Sequence, residues 1–304
     1  MGKRAYRLII ASAAISLLFA FSACTASGEP EEIAPTIPDD SGMGKSSSSS
    51  GQEDESSSSA ESDTTANDSL MYEFFDWTSI PAGTAVLNSV RFDFEDFMMA
   101  TTEVTQDVYT TVMGTMPQQP MDGAVYPVVN VSWYDAVLFC NALSKLVGVD
   151  TAYTYTSVGE KSILGDLSID YSARAIRLPT EIEWEVAAHG KTSTTYYWGT
   201  AKASEYAYYG QSKGPEEVAK FIANDYGLYD MAGNAAEWVN DWFASFPTKD
   251  QVNYAGPSQG SLRVMRGGGW SDPIKDCAPD SRDKKDPLYT APTLGFRVVY
   301  SRGL

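Results

Sequence analysis

Arg177-Leu178-Pro179-Thr180-Glu181-Ile182-Glu183-Trp184-Glu185 is the stretch whose reading decides the fold. Thr180 and Glu183 stand three apart as a capping box. The hydroxyl accepts the N–H three residues on, and the carboxylate reaches back to the cap. A helix therefore opens at Thr180 and ends near His189, with Gly190 as its stop. Upstream, Thr105 to Met113 reads as a short helix closed by Gly114. Ser132 caps a longer one, with Asp135 in the first turn where the helix dipole favours an acid. Trp133, Ala136, Val137, Cys140, Leu143 and Val147 recur at helical spacing on its apolar face. Downstream, Gly227 to Trp242 and Arg263 to Trp270 read as short strands and tight loops. The sum over residues 71–304 is an α+β domain with little regular secondary structure.

The N-terminus has a separate logic. Lys3, Arg4 and Arg7 precede an apolar run from Leu8 to Phe21, which is shorter than the roughly 20 residues a membrane-spanning helix needs. Small residues Ser22 and Ala23 then lead to Cys24, and this pattern resembles a lipoprotein cleavage site. Residues 1–23 are thus expected to be a signal peptide and Cys24 the lipidated residue, carrying diacylglyceryl and palmitate chains. Thr25 follows where enterobacterial inner-membrane retention uses Asp, so the outer membrane of a bacterial envelope is the expected location. Residues 24–70 carry two serine blocks and eleven acids against the single Lys45. Such a segment has too little apolar surface to offset its ordering entropy and reads as a disordered tether.

The chain has a net charge of −18, and the acid excess persists in the domain, which argues against a nucleic-acid partner. Three cysteines (Cys24, Cys140, Cys277) and one histidine (His189) leave few ligands for transition-metal chemistry. No nucleotide loop, serine-nucleophile motif or zinc spacing occurs. Glu181, Glu183, Glu185 and Arg177, Arg263, Arg266, Arg282, Arg297 read as arginine-held loops and helix caps. His189, in the last turn of its helix, reads as a helix-end residue favoured by partial positive charge.

Several segments occur in a telling order: Glu103-Val104-Thr105-Gln106, Pro127-Val128-Val129-Asn130-Val131-Ser132-Trp133-Tyr134-Asp135-Ala136, the Arg177–Glu185 stretch, Tyr197-Trp198-Gly199, Gly227-Leu228-Tyr229-Asp230-Met231, Gly233-Asn234-Ala235-Ala236-Glu237-Trp238, Arg263-Val264-Met265-Arg266-Gly267-Gly268 and Gly295-Phe296-Arg297. Together they resemble the formylglycine-generating enzyme, or sulfatase-modifying factor, family. The resemblance spans residues 73–304 and implies a C-type-lectin-related α+β fold.

That resemblance also implies chemistry. Its segment matching Gly233-Asn234-Ala235-Ala236-Glu237 is a calcium site, and Asn234 and Glu237 offer the hard oxygens calcium takes. The other use of these residues is a turn with an ion-paired Glu237. The family's enzymes oxidise a substrate cysteine with oxygen and copper(I) held by two thiolates five residues apart, a soft-ligand pair. An ungapped match puts the first at Asp272 and the second at Cys277. A match anchored on Arg282 puts the second near Ile274. Either way Cys277 is the one candidate catalytic thiol. Cys140 and Cys277 are left as buried thiols or as a disulfide. The expectation is an envelope-tethered binding or structural module with a protein or glycan partner. The alternative is a copper-dependent oxidase that uses Cys277 to mature an exported sulfatase.

Overall fold

The computed structural model describes residues 69–302. The expected signal peptide, Cys24 and nearly all of the tether lie outside the described residues. Among the described residues no helix is long and apolar enough to cross a membrane.

Local chemistry sets the three helices that the sequence predicts where the sequence places them. Gln106–Met113 is capped by Thr105 and ends on Gly114 at φ 71°, the left-handed conformation that costs glycine nothing. Trp133–Leu146 opens with a full capping box: the Asp135 N–H donates to Ser132 Oγ at 3.1 Å, and the Ser132 N–H donates to Asp135 Oδ2 at 3.0 Å. Glu181–His189 has the same device. Thr180 N–H donates to Glu183 Oε2 at 2.7 Å and Glu183 N–H to Thr180 Oγ1 at 3.2 Å, with Gly190 at φ 58° as the stop. Trp133, Ala136, Val137, Cys140, Leu143 and Val147 are all fully buried, so the helix lays its predicted face on the core.

Short strands form three main sheets. In the largest, the order is Trp77–Ile80, Phe97–Ala100, Val299–Tyr300, Ala175–Arg177, Asp150–Thr151. The strand nearest the C-terminus therefore lies in the middle, with Val299 opposite Met99 on one side and Arg177 on the other. A four-stranded sheet runs Asp283–Lys285, Arg263–Arg266, Ala236–Trp242, Leu294–Phe296. Its register sets Glu237 opposite Arg266 in one neighbour and Gly295 in the other. Gln251–Val252, Val90–Phe94 and Gly83–Leu87 make the third.

Buried ion pairs tie the loops to this frame. Arg177 forks onto both oxygens of Glu183 at 2.7 Å. Arg297, fully buried, holds Glu237 at 2.8–2.9 Å and donates to the carbonyl oxygens of Ala100 and Tyr229. Fork geometry and extra carbonyl partners let guanidinium groups sit this deep. The arginines and glutamates thus do the structural work read for them.

Candidate functional site

The four-stranded sheet delivers the residues that correspond to the family's reactive centre. Arg263–Arg266 runs into Gly267 (φ 86°) and Gly268 (φ 65°), and the chain then turns through Ile274–Cys277 before returning as Asp283–Lys285. Together these segments enclose a cavity of 250 Å³, whose lining includes Arg266, Gly268, Asp272, Asp276, Arg282 and Asp283.

Cys277 does not line it. The side chain is fully buried with Ala207 and Ala232, against Trp198, Tyr209 and Ile274. Gly268 presses on its other side: a Cβ there would stand 2.8 Å from Cys277 Sγ and 2.9 Å from the Asp276 carbonyl oxygen. The thiol points toward the Pro273 carbonyl at 3.7 Å. Burial, then the neighbouring Asp272 and Asp276 carboxylates, push its pKa up to about 12. Such a group is a neutral thiol at physiological pH, whereas nucleophilic and copper-binding cysteines act as thiolates.

Among the described residues no second thiol lies beside it. Cys140 sits in the main core under the Ser132 helix, in a different buried cluster, and burial raises its pKa also. Both cysteines are free, so of the two alternatives the buried thiol holds and the disulfide does not. Asp272, opposite the family's first cysteine in the ungapped match, accepts the Gly269 N–H at 2.8 Å and closes the turn.

The cavity's arginines are likewise occupied. Arg282 forks onto Glu181 at 2.5 and 2.6 Å, and Arg266 pairs with Glu185 while donating to the Ser281 carbonyl at 2.7 Å. The floor is thus charge-matched, and Asp276 and Asp283 stand exposed at the rim.

Asn234 and Glu237, the residues of the calcium expectation, both have protein partners in the fold. Asn234 Oδ1 accepts the Glu216 N–H at 2.9 Å, and its amide donates to Glu103 at 3.0 Å. Both Glu237 oxygens face the Arg297 guanidinium, and Trp184 Nε1 donates to one at 2.6 Å. An ion held by these two residues would share their oxygens with the protein donors already present. The ion pair read for Glu237 is present. His189 differs from expectation. It ends its helix as read, but burial lowers its pKa despite Asp280, so the ring is held toward its neutral form.

Two residues that carried no site expectation lie beside Asn234. Glu103 and Asp230 are both buried, and the Asp230 charge acts on the Glu103 carboxyl. Glu103 Oε2 and Asp230 Oδ1 receive no protein N–H or O–H donor. Burial above all pushes Asp230 up to about 6, and burial followed by the Asp230 charge raises Glu103 well above the carboxylate range. The two carboxyls are chemically suited to share a proton. Glu103 opens one quoted motif and Asp230 stands next to last in another, and an acid inside a motif was the available signal.

A model of the sulfatase-modifying factor enzyme 1-like domain matches residues 76–302. The chain belongs to that family. Among relatives, the chaperone protein LppX of Paenibacillus barcinonensis is 30% identical over 236 residues, covering 68% of this chain and 81% of LppX. The formylglycine-generating enzyme of Bos taurus is 29% identical over 194 residues, 57% of this chain and 44% of the enzyme, so the match spans less than half of that enzyme's length. Of solved structures, Treponema denticola variable protein 1 superposes with a TM-score of 0.67 at 33% identity, covering 74% of this chain and 94% of its own. PvdO from Pseudomonas aeruginosa, at 19% identity and a TM-score of 0.59, shares the fold. The expected α+β, C-type-lectin-related formylglycine-generating-enzyme fold is therefore the one observed. Within this sulfatase-modifying factor domain, the loop that carries Cys277 is built to be packed.

Proposed function

We propose that the chain is an envelope-tethered lipoprotein, anchored through Cys24, whose sulfatase-modifying factor domain acts as a non-catalytic binding module for a protein or glycan partner. The observation that carries the reading is the packing of Cys277: it is fully buried, and the other described cysteine, Cys140, lies in a separate core cluster. Copper(I) needs soft thiolate ligands, and the residue opposite the family's first cysteine is a carboxylate already bonded to Gly269 N–H. The name of the relative LppX, a chaperone, supports a role in holding another protein over one in oxidising it. The LppX name and the Cys24 pattern support anchoring to the envelope.

The direct test incubates the full chain with copper(I), oxygen and a Cys-x-Pro-x-Arg peptide and weighs the peptide by mass spectrometry. The peptide is expected to emerge unchanged. Aldehyde formation that disappears in Cys277→Ser would overturn the reading in favour of an oxidase. In the same preparation, incorporation of labelled palmitate in the wild type and its loss in Cys24→Ser tests the anchor.

A further inference from the structure

Gly83–Leu87, the outer strand of the three-stranded sheet, is the longest free sheet edge among the described residues. Asp150–Thr151 and Gln251–Val252, at other edges, span two residues each, and Asp283–Lys285 is charged throughout. Leu294–Phe296 is buried, and in Trp77–Ile80 only Ser79 is exposed. Gly83–Leu87 carries no charge and no proline, the devices that keep a sheet edge from pairing.

The register fixes which of its backbone groups face outward. Leu87 and Val90 flank a two-residue turn, Asn88-Ser89, with φ of 51° and 65°. Positive φ at both positions is the type I′ hairpin turn. Residues flanking such a turn form a bonded pair, and bonded and non-bonded pairs alternate from there along the strand. Leu87, Ala85 and Gly83 therefore bond Val90, Phe92 and Phe94, whereas Thr84 and Val86 turn their N–H and C=O groups away from the sheet. These outward groups have no partner among the described residues.

The side chains alternate as well. Ala85 and Leu87 pack inward against Val90, Phe92 and Ile182. Thr84 and Val86 stand on the outer face, as does Val252 opposite Asp93. Val86 and Val252 are the two most exposed large apolar side chains among the described residues, at 68% and 72%.

The strand is its own complement. Laid antiparallel about a two-fold axis at Ala85, Thr84 faces Val86 of the second copy and Ala85 faces Ala85. Thr84 and Val86 are the residues whose groups point outward, so each N–H meets a carbonyl across the axis. The same register sets threonine beside valine on the outer face, a favourable cross-strand contact. Charge does not oppose it. The nearest ionised groups, Arg91 and Asp93, pair with each other one strand further in. Across the axis those pairs would be three strand spacings apart, about 14 Å, beyond the screening length at physiological salt.

We propose that Gly83–Leu87 is a self-association edge through which two copies of the chain pair, joining their three-stranded sheets about a two-fold axis at Ala85. The pairing does not depend on the binding-module reading. So short a contact is weak in dilute solution. Anchorage to one membrane, which does rest on the Cys24 reading, would raise the effective concentration of the copies to the ~mM range.

Register-specific cross-linking of the full chain decides it. In a non-bonded antiparallel pair the Cα atoms stand about 4.5 Å apart, within disulfide reach. Ala85→Cys is therefore expected to give a disulfide-linked dimer under mild oxidation, with Cys140 and Cys277 buried and out of competition. In Thr84→Cys and in Val86→Cys the like positions are diagonal, roughly 7–8 Å apart, and the yield should fall about fivefold or more. Adding Val86→Lys to Ala85→Cys should lower it as far. On the wild-type chain, hydrogen exchange should show the Thr84 and Val86 amides gaining protection as protein rises from about 10 µM to about 1 mM. Absence of a dimer from Ala85→Cys, or equal yields at all three positions, would overturn the proposal. So would protection that is independent of concentration, which would assign the edge to a segment of the same chain.

Discussion

Asp230 shows how a single buried acid can set a pH response. It sits beside Glu103 and near the Glu237–Arg297 pair, and burial raises its pKa from the ordinary 3.8 to about 6. Between those values the folded state binds more protons than the unfolded one. The group's contribution to stability is then fully present below the unfolded pKa and is lost as pH rises through the folded value. Asp230→Asn keeps an oxygen for the Ala219 N–H, which Asp230 now accepts at 2.8 Å, and offers Glu103 a permanent donor. The substitution is therefore expected to raise the melting temperature at pH 7.5 by about 3 °C, the shift that ~1 kcal/mol gives a domain of this size. The gap should close toward pH 5. Thermal melts at the two pH values check it, and an equal gain at both would point to packing instead of protonation. The sequence left the sealed thiol as one of two alternatives and did not bring this pair together. Glu103 and Asp230 meet across more than a hundred residues, and burial of Cys277 depends on Gly268, Ala207 and Ala232 converging on it.

Among the elements, helices were the legible part because their signals are local. Ser132 with Asp135 and Thr180 with Glu183 announce their boxes within four residues, and Gly114 and Gly190 mark the stops. Strands of two to four residues carry no such punctuation, and their partners are set by distant packing. Glu183 joins the two levels, since it closes the capping box and neutralises Arg177. Removing Thr180 Oγ1 and neutralising Glu183 should thus differ in cost. Thr180→Ala is expected to lose about 1 kcal/mol, as a missing cap does. Glu183→Gln leaves a buried guanidinium without its counter-charge and is expected to cost about 3–5 kcal/mol. Urea unfolding of both variants measures the difference, and equal costs would reduce Glu183 to a cap.

For the molecule as a whole, the order of motifs carried the fold, and the structure and its relatives agree with it. The order of motifs fixes which residues are present at Asn234 and Glu237 and not where their oxygens point. Arg297 reaches Glu237 from just beyond the strand Leu294–Phe296, 60 positions away. With the Asn234 and Glu237 oxygens held by protein donors, chelation of calcium is expected to leave the melting temperature unchanged. A fall of several degrees on adding EGTA, reversed by calcium, would restore the ion to this fold. The middle position of Val299–Tyr300 has a consequence for biogenesis. Val299 pairs with Met99, two hundred residues earlier, so a chain emerging from the ribosome holds Phe97–Ala100 and Ala175–Arg177 apart, without the strand that joins them. The largest sheet can close only after nearly the whole domain has been synthesised. Such a delay is compatible with the export proposed above, in which the chain crosses a membrane before it folds.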